Sequence, residues 1–542
     1  MQNYFGHNIR NNQTHYHQTM HTQFLKKTSV HLLIPLPFFR IFFPDFLPTH
    51  HIKMNILFVS SEVEPFSKTG GLADVSGALP RALQARGNDV RVVTPLYRSV
   101  DKTKHAISST TLGEIPQLIG SQWSFSSIKF ATMGSGTQQT PVYFVANDYY
   151  YNRNGIYYDA DRSADFPDND ERYILLSKAA LEFCRRTNFR PDIIHCNDWQ
   201  TGLICAYMKI FFAIDPFFQH TKTIFTVHNL AYQGVFPKQS FFHTGLPWWT
   251  FDAEMLEYFG SMNFMKAGLV FADAITTVSR RYAMEIQSEE HGHKLEGLLQ
   301  KRNPFLHGIT NGIDTTAWNP ATDRHIPFHY DTNNTANKYK NKEFLVSRFN
   351  LPFRWNVPVI GIVSRLTGQK GFDIIAGMAQ SLLQQNIQLV VLGSGEDKYE
   401  KMFASLMKMF PDKVGTYLGF NNELAHLIEA GADMFLMPSQ YEPCGLNQMY
   451  SLRYGTVPIV RATGGLDDTV ENVSQDGSYG TGFKFNNYTS NDLYNTVIRA
   501  LAFYQMPDVW RSIMRHGMMQ DNSWEKAGKE YEELYTKILS YQ

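Results

Sequence analysis

The hydrophobic pattern of the chain changes period repeatedly from residue 56 onward. Short β-branched runs alternate with helical patterns of about 10–15 residues, which is typical of a parallel sheet with helices on both faces. In the first half, the runs that predict strands are Ile56–Ser60, Val90–Thr94, Val142–Ala146, Ile193–His195, Thr223–Val227 and Ala274–Val278.

The first helical pattern extends from Leu72 to Arg86, and Gly87 is expected to end it. Pro80 lies inside this pattern. Because proline has no backbone N–H, we expect it to kink the helix or to split it in two. One face of the pattern is apolar and is predicted to be buried: Leu72, Val75, Leu79 and Leu83.

The strand and helix pattern restarts after a polar segment, Asp323–Asn341, which predicts a surface loop. Near the C-terminus, Ser523–Leu539 predicts a helix with Asn522 as its N-cap and Glu525 in its first turn. The strands predicted in this half are Val359–Val363, Leu389–Leu392, Thr416–Leu418, Met434–Met437 and Val457–Val460.

This repetition predicts two α/β domains of similar build. We expect an extension at residues 1–53, a first domain at 54–306, a second domain at 307–521 and a C-terminal helix at 522–542 that packs on the first domain. Ligands of open α/β sheets bind beyond the carboxyl ends of the strands. The loops that follow strands are therefore the expected place for functional residues.

Composition narrows the class of protein. The chain has 542 residues, of which 43% are hydrophobic, so it can bury a sizeable core and has the length of three or four domains or of two large ones. Its 50 basic and 50 acidic residues cancel, which argues against a general nucleic-acid binder. Four scattered cysteines, with no disulfide or zinc pattern, indicate a reducing compartment: Cys184, Cys196, Cys205 and Cys444.

Residues 1–53 differ from the rest of the chain. Their apolar stretch, Val30–Leu47, is interrupted by prolines, Arg40 and Asp45, so it is a poor membrane span and a poor secretory signal. A strand pattern begins directly after Met54. We therefore interpret Met54 as the start of the folded chain, in preference to a transit peptide, and expect the extension to be dispensable.

A glycine-rich segment, Lys68–Gly71, follows the first strand and opens a helix. Free N–H groups at the helix start, together with the lysine charge, favour an anion there. The spacing matches neither the dinucleotide fingerprint nor the P-loop. A tight turn with a solvated lysine is equally compatible with this segment alone.

Three segments in the second half also lie between a strand and a helix. Arg365 and Lys370 can neutralise a diphosphate without a metal, although a solvated basic loop has the same pattern. Glu442 can face the cleft or merely complement a helix dipole. Thr463–Leu466 repeats the glycine and helix arrangement of the first segment.

Together these segments resemble the bacterial glycogen synthase and plant starch synthase family, which are retaining glucosyltransferases with the two-domain GT-B fold. Lys68–Leu72 matches the family's K-T-G-G-L motif, and Glu442–Leu446 matches its E-P-C-G-L motif. The likeness runs from Met54 nearly to the C-terminus. Further matching segments are His195–Leu203, Thr226–Gly234, Asn311–Pro320, Ser364–Gly371 and Thr463–Leu466.

The resemblance implies transfer of glucose from ADP-glucose to the non-reducing end of an α-1,4-glucan, with no cofactor, metal, nucleic acid or membrane involved. It makes Glu442, His228 and Asp198 the candidate catalytic residues, and it puts Glu62 and Asp74 on the sugar or acceptor side. The implied location is cytoplasmic, or a plastid if residues 1–53 are a transit peptide. The candidate donor-binding residues are Lys68, Gly70, Gly71, Asn311, Arg365, Lys370, Phe420, Cys444, Gly445, Leu446, Thr463, Gly464 and Gly465.

Two of these residues have competing interpretations. Phe420 stands where the family usually has a tyrosine that stacks on adenine, and the alternative is an ordinary core aromatic. Cys444, next to a helix N-terminus, should have a lowered thiol pKa. No base adjoins it in sequence, so we favour a small packing residue over a nucleophile.

Two patterns superficially resemble metal sites. Asp159–Asp161 and Asp168–Asp170 are D-x-D pairs in polar surroundings, and we interpret Asp168 and Asp170 as helix-capping or solvated. His291 and His293 lack a third ligand at zinc spacing, so we interpret them as loop surface.

The number of carboxylates decides between two mechanisms of retention. Double displacement needs two carboxylates at the reacting bond, and the motifs supply one clear cleft carboxylate, Glu442. We therefore favour front-face transfer, in which the departing diphosphate takes the acceptor proton. Two alternatives stay open: a GT-B transferase with another donor, such as UDP-glucose, or another acceptor, and a non-catalytic glucan-binding paralogue.

Overall fold

The computed structural model describes residues 53–134, 139–160 and 164–541. Almost all of the expected N-terminal extension lies outside this part of the chain, as does Asp161. The described residues form two lobes, each built on one large sheet. We call residues 54–308 the first lobe and residues 314–519 the second lobe.

The first lobe contains a nine-stranded sheet in the order β14-β13-β9-β8-β1-β2-β5-β4-β3. Neighbouring strands are parallel except that β4 is antiparallel to both β3 and β5. The strands of the lobe are β1 (Asn55–Val59), β2 (Asp89–Pro95), β3 (Ser108–Ile119), β4 (Gln122–Met133), β5 (Thr140–Ala146), β6 (Tyr158–Asp159), β7 (Ala164–Asp165), β8 (Ile193–Asn197), β9 (Lys222–Val227), β10 (Val235–Pro237), β11 (Glu257–Tyr258), β12 (Ser261–Asn263), β13 (Ala274–Thr277) and β14 (Leu306–Gly308).

Helices flank this sheet, and the first of them contains Pro80, which was expected to kink or split it. The helices are α1 (Gly71–Ala85), α2 (Asp148–Tyr151), α3 (Asn169–Arg186), α4 (Gly202–Ile210), α5 (Phe241–Thr244), α6 (Phe264–Phe271), α7 (Arg280–Glu285) and α8 (Glu296–Lys301). The α1 helix is continuous through Pro80, so the predicted split is wrong. Its predicted apolar face is buried, and this packing holds the helix together although one backbone donor is missing.

The antiparallel strands β3 and β4 were not predicted. They pair along most of their length, with Leu118 opposite Trp123 near the turn. Both of these side chains are exposed, at 42% and 63%. A hairpin at the sheet edge does not need a continuous apolar run, so its sequence lacks the signal that marks the buried parallel strands.

The second lobe has a six-stranded, fully parallel sheet in the order β17-β16-β15-β18-β19-β20. Its five predicted strands are confirmed. The strands are β15 (Val359–Val363), β16 (Gln388–Gly393), β17 (Val414–Leu418), β18 (Met434–Met437), β19 (Val457–Arg461) and β20 (Phe483–Phe485). The helices from here to the C-terminus are α9 (Ala336–Arg348), α10 (Phe372–Gln384), α11 (Asp397–Met409), α12 (Asn422–Gly431), α13 (Asn447–Tyr454), α14 (Gly464–Thr469), α15 (Ser490–Tyr504), α16 (Pro507–Met519) and α17 (Trp524–Leu539).

The predicted surface loop at 323–341 is partly wrong. Its second part is the start of α9, and several of its polar side chains are buried. The Asp323 carboxylate accepts hydrogen bonds from His426 Nδ1 at 2.8 Å and from the Tyr454 hydroxyl at 2.6 Å. Polar residues can be buried when they satisfy one another in this way, and a pattern of single residues does not reveal such partners.

The last helix, α17, lies against the first lobe. Ser523 caps it by accepting from the backbone N–H of Lys526, so the predicted N-cap, Asn522, is wrong by one residue. An Arg86–Glu532 ion pair of 2.6 Å joins the end of α1 to this helix. The chain thus returns to the first lobe after completing the second. No helix in the described ranges is both long and apolar enough to cross a bilayer.

Candidate active site

A cleft of about 690 Å³ lies where the carboxyl ends of the two sheets face each other. The first lobe contributes the residues that follow β1, β8, β9 and β13, and the second lobe contributes those that follow β15 and β18. We call these two sets the first wall and the second wall. Of the predicted site residues, the cleft is lined by Glu62, Gly70, Gly71, Asp74, Asp198, His228, Asn311, Arg365, Lys370, Glu442, Cys444, Gly445 and Leu446.

Glu62 anchors the glycine loop of the first wall. Its carboxylate is buried and accepts from the backbone N–H groups of Thr69 and Gly70 and from the Thr69 hydroxyl. The Tyr157 hydroxyl donates to the same carboxylate at 2.6 Å. With its oxygens occupied by the protein, Glu62 fixes the course of the loop. Tyr157 was not singled out by the sequence, because it comes from a polar segment far from the loop.

The two glycines of this loop face open space. A Cβ atom added to Gly70 or Gly71 would meet no atom within 4 Å, and neither residue has a positive φ. Protein packing therefore does not explain why these positions lack side chains. Lys68, the lysine of the same motif, is not part of the cleft lining and forms a 2.5 Å ion pair with Asp74.

Asp198 and His228 lie side by side at the base of the first wall. The Asp198 carboxylate accepts from the His228 backbone N–H at 2.7 Å, and Asp198 has a positive φ of 55°. Strained conformations of this kind are concentrated at functional sites. Burial raises the pKa of Asp198 to about 7, although the N–H groups of His228 and Asn229 partly oppose this.

The His228 ring is neutral and has a defined tautomer. Burial lowers its pKa to about 3. Its Nε2 lies 3.0 Å from Asn197 Oδ1, while Asn197 Nδ2 donates to the Val59 carbonyl. Because that amide oxygen can only accept, Nε2 carries the proton. The Nδ1 atom has no hydrogen-bond partner among the described residues and is left as an acceptor.

The second wall carries the lysine and the arginine that line the cleft. Half-buried Lys370 and buried Glu442 form an ion pair of 2.6 Å between Nζ and Oε2, and the Ser439 hydroxyl donates to the same oxygen at 3.0 Å. Arg365 is exposed and has no ion-pair partner in the part of the chain that the structure describes. Because β15 and β18 are adjacent in the sheet, the loops after them bring Arg365, Lys370 and Glu442 together.

Cys444 and Asn311 meet where the two lobes join. Cys444 is buried within the hydrophobic cluster of the first lobe. Burial raises the pKa of its thiol to about 12, so the predicted lowering is wrong and the packing interpretation is confirmed. Asn311 is also buried, and its Oδ1 has no hydrogen-bond partner among the described residues. An unsatisfied acceptor lining a cleft favours a hydrogen-bond donor on a bound ligand.

The second glycine pair does not line the cleft. The Thr463 hydroxyl and the Gly464 N–H donate to the Glu285 carboxylate of the first lobe, at 3.1–3.2 Å. A Cβ atom would lie 1.9 Å from the Glu442 carbonyl oxygen at Gly464 and 2.1 Å from the Cys444 carbonyl oxygen at Gly465. These glycines are needed for packing against the Glu442 turn.

Phe420 lies outside the cleft lining, after β17, and is 90% exposed. The alternative that it is an ordinary core aromatic is therefore wrong. Lys68, Phe420, Thr463, Gly464 and Gly465 are the five candidate donor-binding residues that do not line the cleft in this structure.

The two aspartates of the second D-x-D pattern, Asp168 and Asp170, contact basic side chains. Asp168 is at the N-cap position of α3, but its side chain caps nothing and instead forms a two-bond pair with Arg153. Asp170 is buried and accepts from His243 Nδ1 at 3.0 Å. The capping or solvated interpretation of both is therefore wrong. His293 is exposed and His291 is half-buried.

One group of potential metal ligands is found within the described ranges: Asp170, Glu171 and His243, whose ligand atoms lie within 4.8 Å of one another. None of the three lines the cleft.

Comparisons with known proteins agree with this architecture. Residues 55–301 match the family model for the starch synthase catalytic domain, and residues 345–516 match that for glycosyl transferases group 1. The catalytic domain of starch synthase IV from Arabidopsis thaliana, solved bound to ADP and acarbose, superposes with a TM-score of 0.82 at 29% identity, covering 90% of this chain and 100% of that one. Sucrose-phosphate synthase from Thermosynechococcus elongatus, at 16% identity and a TM-score of 0.54, shares the fold.

These likenesses define the class: the chain is a glycosyltransferase with the GT-B fold. Glycogen synthase from Koribacter versatilis is 47% identical over 484 residues, covering 89% of this chain and 98% of the relative. Glycogen synthase from Thermotoga maritima is 44% identical over 492 residues, covering 90% and 99%. The chain belongs to the bacterial glycogen synthase and starch synthase family.

Proposed function

We propose that the protein transfers glucose from ADP-glucose to the non-reducing 4-hydroxyl of an α-1,4-glucan, with retention at the anomeric carbon. The observation that carries this proposal is the composition of one cleft. Its first wall presents two glycines that face open space, and its second wall presents Arg365 and the Lys370–Glu442 pair. A diphosphate can be neutralised there by the two cations, and a sugar can approach the bare backbone.

The donor is assigned mainly to the second domain of the chain, residues 307–521. Within the described ranges Arg365 has no ion-pair partner, so it can form a two-bond contact with phosphate. Asn311, Gly445 and Leu446 would border the donor sugar, and Cys444 would support that turn by packing. The ring of Phe420 is exposed and offers a face on which the base of the donor can stack. Because Phe420 does not line the cleft in this structure, such stacking requires the ring and the base to move together when the donor binds.

Glu442 is assigned the central electrostatic role. It lies 2.6 Å from Lys370, so in the free enzyme each charge neutralises the other. When a diphosphate binds, Lys370 gains a second anionic partner. The carboxylate then stabilises the positive charge that develops on the anomeric carbon. As the bond between the anomeric carbon and the diphosphate oxygen breaks, that oxygen takes the proton of the acceptor 4-hydroxyl. The acceptor oxygen bonds to the anomeric carbon from the face that the diphosphate leaves, so the configuration is retained.

The first domain, residues 54–306, is assigned to sugar and acceptor. The free Nδ1 of neutral His228 can accept from a sugar hydroxyl, and Asp198 holds the backbone on which that ring stands. Glu62 is assigned a positioning role through the loop at Gly70, since its oxygens are already occupied. Asp74 is likewise assigned to the sugar side of this loop, where it forms an ion pair with Lys68.

Initial rates with radiolabelled ADP-glucose and UDP-glucose on a glycogen primer test the proposal. We expect incorporation from ADP-glucose, with retention of the α-configuration. Preferential use of UDP-glucose would reassign the donor. Failure with both donors, together with retention on a glucan affinity gel, would favour a non-catalytic glucan-binding protein. Because the relatives above are bacterial glycogen synthases, we also propose a cytoplasmic location, with a plastid as the alternative if residues 1–53 are a transit peptide.

A further inference from the structure

Two short helices from different lobes cap each other. The α7 helix of the first lobe ends at Glu285, whose carboxylate accepts from Thr463 and Gly464 at the start of α14. In return, Asp468 of α14 accepts from the backbone N–H of Arg281 at 3.0 Å, near the start of α7. Each helix start, where N–H groups lack partners, is thus satisfied by a carboxylate of the other lobe.

The α14 end of this contact leads directly to the Glu442 turn. The N–H of Gly465 lies 3.2 Å from the carbonyl oxygens of both Glu442 and Pro443. The two glycines allow this approach, since a side chain at Gly464 or Gly465 would collide with the turn. A displacement of the start of α14 would therefore be transmitted to the backbone that carries Glu442.

The Glu285 carboxylate is well placed for such a role. Its side chain is only 10% exposed, and Arg281 Nε holds it at 3.1 Å. The hydroxyl of Tyr282, one turn earlier on the same helix, accepts a hydrogen bond from the Leu230 N–H at 3.1 Å, two residues after His228 of the first wall. The carboxylate therefore links the first wall to the turn of the second wall.

We propose that Glu285 is a positioning residue for the transfer reaction: by capping α14 across the lobe boundary, it fixes the Glu442 turn relative to Asp198 and His228. The inference rests on the proposed function in so far as Glu442 acts in transfer. In this proposal Glu285 affects kcat through the Glu442 turn and does not contact the substrate. It also makes Glu285 and Asp468 two parts of one interaction.

The test compares Glu285→Ala, Asp468→Ala and the double variant with Glu289→Ala, which removes an exposed glutamate next to the same helix. For Glu285→Ala we expect kcat to fall about tenfold, the scale of one lost charge-assisted hydrogen bond, with the donor KM within about twofold. The kcat of the double variant should be no lower than that of the more impaired single variant, because either change breaks the same contact between the lobes. Glu289→Ala should match wild type.

Small-angle scattering of the ligand-free variants supplies a readout that does not depend on activity. We expect a larger radius of gyration for Glu285→Ala than for Glu289→Ala. An unchanged radius and unchanged kcat, at an unaltered melting temperature, would reduce Glu285 to a simple helix cap. A lower donor KM with intact kcat would also overturn the proposal, since Glu285 would then compete with the donor for Gly464.

The two proposals can fail separately. If wild type uses neither donor, the proposed function fails, while the scattering comparison still tests whether Glu285 holds the lobes. If Glu285→Ala does not fold, Glu285→Gln keeps one acceptor and should show the same changes at smaller size. Wild-type values for that variant would contradict the proposal.

Discussion

The two walls of the cleft use the same glycine and helix pattern for different physical purposes. In the first wall, Gly70 and Gly71 open α1 and face empty space. In the second lobe, Gly464 and Gly465 open α14 and are pressed against the carbonyl groups of the Glu442 turn. The first pair leaves room for a ligand, whereas the second pair leaves room for the protein itself. Similar motifs therefore do not imply similar roles.

The walls also differ in how they hold charge. In the first wall, burial makes His228 neutral and raises the pKa of Asp198. In the second wall, half-buried Lys370 pairs with buried Glu442, and exposed Arg365 has no ion-pair partner among the residues that the structure describes. The first wall is thus suited to neutral hydroxyl groups and the second to a diphosphate, which the following experiments can test.

The largest expected effect is that of Glu442→Gln in the second wall. The amide keeps the shape but removes the charge that stabilises the transition state, so kcat should fall by about a hundredfold to a thousandfold while the donor KM changes little. Steady-state kinetics measures both. The matched first-wall change, Glu62→Gln, should cost less in kcat. If Glu442→Gln keeps kcat within a few-fold of wild type at an unchanged melting temperature, the second wall does not hold the key charge.

Asp198→Asn tests the neutral character of the first wall. Since the folded pKa of about 7 exceeds the unfolded value, the folded state retains the proton while the unfolded state releases it. Wild type should therefore lose stability as pH rises from about 4 to 7, at roughly 1.4 kcal/mol per pKa unit, and the amide variant should not. Denaturant melts at pH 4.5 and pH 8 give the difference. Parallel pH curves for the two proteins would mean that Asp198 ionises normally.

Lys68→Ala examines a lysine of the first-wall motif that does not itself line the cleft and that forms an ion pair with Asp74. If Lys68 turns to the diphosphate, the donor KM should rise about tenfold to a hundredfold and the glycogen KM should stay constant. Lys68→Arg should restore little, because a fork does not replace a point charge. Lys102→Ala, an exposed lysine of the same lobe, is the control. An unaltered donor KM would make Lys68 a solvated loop residue.

Alanine at the two glycine pairs tests the comparison directly. Gly465→Ala places a methyl group 2.1 Å from a backbone carbonyl oxygen, so the free energy of unfolding should fall by about 1–3 kcal/mol. Gly71→Ala meets no protein atom and should be neutral or stabilising by about 0.4–1 kcal/mol, but should raise the donor KM. Denaturant melts and kinetics on both variants measure these effects. Equal loss of stability would show that the two pairs serve the same purpose.

Chelation should have the smallest effect. Arg365 and Lys370 supply positive charge in the cleft, and the potential ligands Asp170, Glu171 and His243 do not line it. Dialysis against a chelator should therefore leave kcat unchanged. Complete loss, with recovery on addition of magnesium or manganese, would overturn the view that the two cations suffice.

Much of the fold was predictable because a buried parallel strand is a short continuous run of apolar residues, which is visible in the local sequence. β1, β15 and β18 each appear as a short apolar run with a functional loop after it, and strand adjacency then brings those loops together. The edge hairpin of β3 and β4 was missed because exposed strands carry no such run. The burial of Asp323 was missed because its partners, His426 and Tyr454, are remote in sequence.

The sequence by itself determined the family, the buried parallel strands of the two sheets and thirteen of the residues that line the cleft, since motif order and strand composition are properties of neighbouring residues. Only the tertiary structure decided which groups are free to bind a ligand. Glu62 and Gly464 look like ligand-binding groups in sequence, yet the first is satisfied by its own loop. The second is satisfied by Glu285, which precedes it by 179 residues. Hydrogen-bonding capacity is limited, and partners so distant become visible only once the chain is folded.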